Sequence, residues 1–391
     1  MSPSTTETKS KKPANTAFKQ QRLKAWQPLL TPKTVLPTFF IIGIIFAPLG
    51  GVLLWASDSV NEIIIDYTGC SKAGTTYVSV PSTDYSIRVS GASNGQMEQI
   101  PQYKYDNNQC TVQFSLPSDL KPPVFLYYKL SNFYQNHRRY VKSLDANQLR
   151  GEAVSASTLN KSSRSGCSPL STTTVNGVEK IIYPCGLIAN SMFNDTMHDP
   201  VLQNPTNTTS DSVVYPFSAQ GITWPSDKQK YGKTDYNMDE IVPPPNWLQR
   251  FPDGVYTSEH PPPDLSTDER FQVWMRTAGL PTFRKLYGRN DGATMRSGIY
   301  EMVIENNYDV LSFGGSKSIV ISTVSFMGGK NPFLGIAYIV VGVLCVVLGC
   351  LFTARHIYRP RKLGDHTYLS WNQQVASGLA SQNNHGGTPA Q

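Results

Sequence analysis

Two long uncharged segments restrict this chain more than any other feature. The 24 residues between Lys33 and Asp58 carry no charge, and neither do the residues between Lys330 and Arg355. At a rise of about 1.5 Å per residue, such a helix crosses the roughly 30 Å hydrocarbon core of a bilayer. A core helix of a soluble protein is the alternative, but the length and the aromatic residues near the ends favour membrane spans. We therefore predict that the chain crosses a membrane twice.

Basic residues outside the spans indicate the orientation, because Lys and Arg accumulate on the cytosolic side. The two tails hold 11 of the 35 basic residues but only Glu7 and Asp365 of the 28 acidic ones, a balance of +9. The connecting loop holds 24 basic and 26 acidic residues, so the net charge of +7 reflects topology and not a nucleic-acid-binding surface. The first run starts too far from residue 1 for a cleaved signal peptide, so we expect an uncleaved anchor. The expected regions are a cytosolic N-terminal tail (1–34), a first span (35–57), a luminal or extracellular domain (58–330), a second span (331–354) and a cytosolic C-terminal tail (355–391).

Cysteines and glycosylation sequons fit this orientation. The loop contains four cysteines, which allow three disulfide connectivities. Pairing of sequence neighbours would close short loops, and each bridge would stabilise the fold by about 3 to 4 kcal/mol. In an oxidising compartment we expect bridges and not free thiols. The loop cysteines are Cys70, Cys110, Cys167 and Cys185, and the loop sequons begin at Asn160, Asn194 and Asn207.

The loop has the pattern of a β-rich domain. CTVQFSL alternates apolar and polar residues, and YSIRVS, PVFLYY, YEMVIEN and KSIVISTVSF look similar. The proline-rich segments IVPPPNW and SEHPPPD are expected to be surface excursions. We predict a membrane protein with two transmembrane α-helices and a large luminal or extracellular domain. The fold expected for that domain is an antiparallel β-sandwich with long irregular insertions and short helices.

The stretch YYKLSNFYQNHRRYVKS (127–143) concentrates aromatic and basic residues. Its apolar residues from Phe133 to Val141 recur at helical spacing, with polar residues between them, and Ser131 or Asn132 could cap a helix there. A catalytic His137 would need a nucleophile and an orienting acid. We expect a short helix whose aromatic face lies on the sheet.

One catalytic motif matches by letter. GASNG (91–95) fits G-x-S-x-G with Ser93 as nucleophile, but Pro101 interrupts the helix that a nucleophile elbow requires. The sequence contains no P-loop, dinucleotide-binding glycine motif, H-E-x-x-H or C-x-x-C. We therefore expect no catalytic residues, no metal and no cofactor.

Small residues form a stripe along the second span. Such stripes let helices approach closely in lipid, although glycine is common in membrane helices generally. We expect this stripe to pack against a helix of a partner protein. Its members are Gly335, Tyr338, Gly342, Cys345 and Gly349. The first span adds Gly43, Ala47 and Gly50, with Pro48 expected to kink it. Because neither span contains an ionisable residue, the chain alone is a poor candidate for a transport pathway.

The segment 17–30 mixes apolar and basic residues just before the first span. It suits a short interfacial helix that contacts anionic phospholipid headgroups, or simply a basic flank that sets topology. The candidate contact residues are Phe18, Arg22, Leu23 and Trp26.

Six blocks of sequence resemble the cell-cycle-control fifty / ligand-effect-modulator family, whose members are non-catalytic β subunits of type IV P-type ATPases, the phospholipid flippases. The blocks, in chain order, are NTAFKQQRLKAWQP, YYKLSNFYQNHRRYVKS, YPCGLIANSMFND, GITWPSDKQKY, VWMRTAGLPTFRKLYG and KSIVISTVSFMGGKNPFLGIAYIVVG. The similarity runs from about Asn15 to about Arg361 and leaves out only the tails.

The resemblance implies an accessory subunit in a 1:1 heterodimer with the ATPase, which would supply the phosphorylated aspartate and the ATP site. It implies assembly in the endoplasmic reticulum, export to the Golgi, endosomes or plasma membrane, and support of the phosphorylated state while phospholipid moves to the cytosolic leaflet. It also implies the disulfides Cys70–Cys110 and Cys167–Cys185. Some animal relatives carry a further cysteine pair near the first bridge that this sequence lacks, so the local structure around Cys70 can differ.

Two other protein classes compete with an accessory subunit. A two-span channel subunit has the same topology but would line a pore with polar side chains, which neither span provides. A membrane-anchored enzyme would depend on Ser93. The small-residue stripe, the expected glycosylated domain and the family resemblance favour the accessory subunit.

Overall fold

The computed structural model of the protein describes residues 13–25, 30–90, 99–161, 166–203, 212–326 and 328–360. The chain divides into two compact units. One comprises Met1–Leu53 with Phe333–Gln391, and the other is Leu54–Pro332.

Helices are few and short except at the ends of the described chain. They are α1 (Pro32–Asp58), α2 (Arg138–Val141), α3 (Ala146–Leu149), α4 (Ala156–Leu159), α5 (Leu187–Asn190), α6 (Pro225–Lys228), α7 (Glu269–Met275) and α8 (Phe333–Tyr358). Only 17% of the most apolar 18-residue window of α1 is buried, and the same holds for α8. A core helix of a soluble protein would be mostly buried, so the length and exposure of both helices fit membrane spans.

Strands dominate the unit Leu54–Pro332. They are β1 (Glu62–Asp66), β2 (Val78–Ser79), β3 (Tyr85–Arg88), β4 (Gln102–Asp106), β5 (Gln109–Leu116), β6 (Val124–Leu130), β7 (Thr172–Val175), β8 (Val178–Ile182), β9 (Thr196–Met197), β10 (Val201–Gln203), β11 (Ser212–Val214), β12 (Ile241–Val242), β13 (Phe283–Asn290), β14 (Gly298–Glu305) and β15 (Lys317–Ser322).

The strands form three sheets. A five-stranded sheet has the order β13-β6-β15-β1-β3, and a seven-stranded sheet has the order β11-β10-β14-β5-β4-β2 with β9 also paired to β14. Every strand pair in these two sheets is antiparallel. The small third sheet, β12-β8-β7, contains one parallel pair, β12 with β8.

Both larger sheets contribute to one hydrophobic core. Along β6 the residues alternate strictly between buried and half-buried, as the sequence pattern predicts for a strand with one face on a core. Ile63 and Ile65 of β1 and Val112 and Phe114 of β5 belong to the same buried cluster. The predicted architecture, a β-rich antiparallel domain between two long apolar helices, is therefore confirmed.

Two local predictions are wrong. IVPPPNW is not a surface excursion, because its first two residues form β12 in the third sheet and Trp247 at its end is buried, with its indole N–H donating to the carbonyl of Ala189 at 2.9 Å. The proline run leaves only the preceding residues free to pair, and β12 is accordingly two residues long.

The predicted helix after Asn132 is also wrong in its extent. Asn132 has a positive φ of 55°, which ends β6 in a turn, and α2 begins only at Arg138. Gln135, which the helical pattern places on the solvent side, is fully buried because its Oε1 accepts the N–H of Ala278 at 2.8 Å. The aromatic contact with the core is nevertheless present, since Phe133 packs against Trp274 at 5.8 Å between ring centroids.

Candidate functional site

The two long helices interlock through glycines spaced seven residues apart. Gly335, Gly342 and Gly349 of α8 are buried, although most of that helix is exposed. Seven residues are about two helical turns, so the three glycines lie on one face. A Cβ atom added at Gly342 would lie 2.9 Å from the backbone nitrogen of Ala47 in α1, and one at Gly50 would lie 2.8 Å from the carbonyl oxygen of Gly335. Glycine thus allows backbone-to-backbone contact at these levels.

This packing gives the predicted stripe a partner within the chain. The three glycines face α1. The ring of Tyr338 in α8 lies 5.0 Å from the ring of Phe46 in α1. Cys345 is half-buried. The structure therefore places α1 against the three glycines and Tyr338, on the face where the sequence analysis expects a helix of a partner protein.

The outward surface of the helix pair consists of large aliphatic side chains. Its exposed members are Ile41, Ile44, Ile45 and Val52 on α1 and Ile336, Val340, Val343, Leu344, Val347 and Leu351 on α8. Gly51 also faces outward, and nothing lies within 4 Å of a Cβ atom added there. Any further membrane helix would meet this outward surface.

The segment before α1 forms a turn and not the predicted interfacial helix, as far as it is described. Residues 17–21 form the turn, and Gln21 has a positive φ of 53°. Phe18 is 76% exposed and Leu23 is 62% exposed. Arg22, which is also exposed, donates to the side chain of Asn15. Trp26 lies outside the described residues.

Two disulfides fasten the domain. Cys70 bonds to Cys110 and Cys167 bonds to Cys185, and all four residues are buried. These are the pairs that the family resemblance implies. The first joins the 3₁₀ segment Thr68–Lys72 to β5, and the second lies in a small cluster with Leu159 apart from the main core.

The described sequon asparagines lie in different surroundings. Asn160 is exposed, and its side-chain oxygen accepts a hydrogen bond from Ser171. Asn194 is half-buried, donates to Gln249 at 3.2 Å, and lines a cavity of about 720 Å³ together with Trp247 and Arg250. Asn207 and Ser93 lie outside the described residues.

A buried ion pair follows directly after Asn194. Asp195 Oδ2 accepts from Lys317 Nζ at 2.7 Å and from the hydroxyl of Tyr67 at 2.8 Å, while Oδ1 accepts the N–H groups of Asn307 and Tyr308 at 2.5 and 2.6 Å. Burial lowers the pKa of Lys317, and the contact with Asp195 opposes that shift. Burial, followed by the nearby Asp195 charge, raises the pKa of Tyr67 well above its usual value. The network therefore joins the middle of the domain to its first and last strands.

A second buried carboxylate holds the loop before α6. Glu269 accepts the N–H groups of Gly221, Ile222 and Thr223 at 3.1, 2.8 and 2.9 Å, and the ammonium of Lys228 at 2.6 Å. Burial by itself raises the pKa of Glu269, but the hydrogen bonds from Lys228 and the backbone lower the pKa by more than burial raises it, so the net shift is downward. No sequence pattern indicates this contact, because three of its four donors are backbone groups.

The one histidine that the sequence analysis considers for catalysis is exposed. His137 lies at the start of α2 and makes no side-chain capping bond. In the part of the chain that the structure describes, no three His, Cys, Asp or Glu side chains are grouped so as to hold a metal ion.

Comparison with known proteins gives a consistent result. Residues 53–362 match the model of the LEM3 (ligand-effect modulator 3) family / CDC50 family. The chain is 43% identical over 382 residues to the phospholipid-transporting ATPase accessory subunit CDC50 of Chaetomium thermophilum, covering 94% of this chain and 93% of that protein. It is 42% identical over 367 residues to the accessory subunit CRF1 of Saccharomyces cerevisiae, covering 93% and 90%. It is 43% identical over 368 residues to mouse cell cycle control protein 50A, covering 90% and 91%.

Proposed function

Because this chain belongs to the LEM3/CDC50 family, we propose that it is the accessory subunit of a phospholipid-transporting ATPase. The observation that carries this function is the match along nearly the whole length of relatives that bear that name. The chain itself is not the catalytic subunit, and the ATPase supplies the chemistry of ATP hydrolysis and lipid movement.

The mechanism that fits the structure is stabilisation of the ATPase by a bound subunit that does not itself change shape. Glycine contacts hold α1 and α8 together as a pair, and disulfides and buried ion pairs make the domain rigid. A rigid subunit that binds some transport intermediates of the ATPase more tightly than others stabilises those intermediates, including the phosphorylated one. The accessory subunit thereby supports a cycle that moves phospholipid to the cytosolic leaflet.

We place both termini in the cytosol and the domain 58–330 on the luminal or extracellular side. The excess of Lys and Arg in the tails supports this orientation, and so do the two disulfides in the domain. We assign the membrane-embedded portions to 35–57 and 331–354, within and next to α1 and α8. The complex would assemble in the endoplasmic reticulum and leave it for the Golgi, endosomes or plasma membrane, with N-glycans on Asn160, Asn194 and Asn207.

Three surfaces are available for a 1:1 complex. The outward aliphatic surface of the α1–α8 pair would face membrane helices of the ATPase. The segment with Phe18, Arg22 and Leu23 would contact its cytosolic side and anionic headgroups, because these side chains are exposed. The domain would cover the luminal loops of the ATPase.

Purification of the tagged full chain from its native membranes, without crosslinker, tests the proposal. A much larger partner should co-purify at a molar ratio near one, and mass spectrometry should identify it as a P-type ATPase. A clean monomer or a homotrimer would contradict the proposal. So would lipid flipping or ATP hydrolysis by the isolated chain in vesicles that contain no such ATPase.

Exchange of Phe18 and Leu23 for Ser tests the cytosolic contact separately. Recovery of the ATPase should fall in the double variant, while exchange of Leu280, an exposed residue of the other unit, for Ser should leave it unchanged. Equal recovery from both variants would remove the contact from the proposal without affecting the family role.

A further inference from the structure

Phe326 lies in a tight turn between β15 and α8. The N–H of Ser325 donates to the carbonyl of Gly328 at 2.9 Å, and the N–H of Gly328 donates to the carbonyl of Ser325 at 2.9 Å. The Phe326 side chain is 78% exposed, the largest value among the big apolar side chains described in Leu54–Pro332. Covering such a ring with an apolar or interfacial environment is favourable by about 1.5 to 3 kcal/mol.

The chain is fastened to the end of α1 on both sides of this turn. Before it, the N–H of Thr323 donates to the carbonyl of Asn61 at 2.9 Å, and the N–H of Asn61 donates to the hydroxyl of Thr323 at 3.0 Å. After it, Lys330 Nζ lies 3.6 Å from the carboxylate of Asp58. The turn is therefore confined between two attachments to the segment where the first span ends.

These attachments limit how far the turn can lie from the membrane boundary. Asp58 and Lys330 are the first charged residues beyond the two uncharged spans, so they mark the membrane boundary. Phe326 is four residues from Lys330, which keeps their Cα atoms within about 14 Å even if the chain were extended. The headgroup region of each leaflet is roughly 5 to 8 Å thick. Residues 323–329 carry no charge that would oppose entry into that region.

The surroundings of the turn also match the membrane–water interface. Trp55 in the last turn of α1 is 70% exposed, and exposed Trp at the end of a span is typical of the interfacial aromatic belt. Asn61 and Thr323 line a cavity of about 280 Å³ together with Lys121 and Asp119, so an exposed cation and an exposed carboxylate both lie beside the turn. Zwitterionic phospholipid headgroups also carry one charge of each sign.

We propose that the ring of Phe326 enters the headgroup region of the luminal or extracellular leaflet and anchors the domain to the phospholipid there. This anchor is a property of the chain itself and does not depend on the ATPase complex. A lipid surface explains why the most exposed large apolar side chain among the described residues of the domain lies where the chain returns to the membrane.

Spin labelling of the full chain in phosphatidylcholine nanodiscs, without the ATPase, tests the proposal. The background carries Cys345→Ala and Cys350→Ala, so that a nitroxide attaches only at an introduced cysteine. Phe326→Cys is compared with Tyr134→Cys, which is 57% exposed. Tyr134 lies just beyond Leu130, the last residue of β6. Leu130 pairs with Lys317, the first residue of β15, whereas Ser322, the residue of β15 nearest to Phe326, is at the other end of β15. Six residues of strand separate the two ends by about 17 to 20 Å.

The accessibility of the label to a water-soluble nickel chelate should be roughly tenfold lower at position 326 than at 134, since transfer of an apolar side chain of the size of the attached label to an apolar phase is favoured by at least that factor. Accessibility to oxygen, which concentrates in lipid, should be higher at 326. Equal nickel accessibility at the two positions would overturn the proposal. It would also be overturned if position 326 became protected only after the ATPase was added, because that result assigns Phe326 to a protein contact.

Discussion

The ammonium of Lys317 lies 2.7 Å from Oδ2 of Asp195, with side-chain exposures of only 4% and 0%. Asp195 is the middle residue of the sequon Asn194-Asp195-Thr196, so the sequon and the buried pair share one segment. Lys317 begins β15, the last strand before α8. The pair thus connects the sequon segment to the last strand of the domain.

Lys317→Met should strongly destabilise the domain. It leaves a buried carboxylate without its cation, and loss of one member of such a pair costs about 3 to 5 kcal/mol. Asp195→Asn should also destabilise, but the double variant should lose less than the two single variants combined. Thermal unfolding of the purified chain measures this coupling, and additive losses would show that the pair contributes nothing specific. Asp195→Asn keeps the sequon, so any change is not a glycan effect.

Gly342→Ala should disrupt the helix pair, whereas Gly51→Ala should not. The added Cβ atom at Gly342 meets the backbone of Ala47 at 2.9 Å, while nothing lies near Gly51. Overpacking of this kind costs about 1 to 3 kcal/mol. The proximity of α1 and α8 can be followed by disulfide crosslinking of cysteines introduced on facing positions. Unchanged crosslinking in Gly342→Ala would show that backbone contact is not required.

Glu269→Gln should loosen the loop at Gly221–Thr223. Hydrogen bonds to a charged group contribute about 1.5 to 3 kcal/mol each, and the neutral amide weakens all four. We expect faster proteolysis or amide exchange in residues 221–228. Glu259→Gln, at an exposed glutamate elsewhere in the domain, is the matched control and should leave that exchange unchanged.

The same carboxylate predicts a pH dependence. The pKa of Glu269 is lower in the folded protein than the ordinary glutamate value of 4.5, so the unfolded chain takes up the proton first as the pH falls. The stabilisation is therefore fully present above pH 4.5 and is lost as the pH falls through the folded pKa. Melting temperatures of the wild type should decline more steeply below pH 4.5 than those of Glu269→Gln, and parallel curves would contradict the assignment.

Thr196→Ala should abolish one glycan without removing the buried pair. The substitution destroys the sequon at Asn194 and leaves Asp195 and Lys317 in place. Treatment with an N-glycosidase should lower the apparent mass on a gel of both proteins. The decrease should be larger for the wild type than for the variant, by the mass of one glycan. An identical shift in both would show that Asn194 carries no sugar.

Local patterns predicted the strands well, and contacts between distant segments explain where they failed. Alternation along β6 identifies its buried face directly. The spacing from Phe133 to Val141 is helical in the sequence, but Gln135 is drawn inward by the backbone of Ala278, 143 residues away. The sequence around Gln135 does not predict this hydrogen bond.

The candidate surfaces show the same limit. Small residues on the second span were visible in the sequence, but their spacing does not say which helix they meet, and the structure shows that it is α1. The exposure of Phe326 also depends on a turn fixed at both ends by partners far along the chain, Asn61 and Asp58. Sequence patterns indicate which residues suit a contact, and the fold decides which contact is made.

The pairing of β1 with β15 has a consequence for synthesis. β1 pairs with β3 nearby in the sequence, but Glu62 also lies opposite Ser322, so the other edge of β1 stays unpaired until almost the entire loop has been made. Contacts between segments so far apart form late, and incomplete intermediates with an unpaired strand edge are prone to aggregate. A chain that stopped before β15 would therefore keep one edge of β1 open for pairing with another molecule.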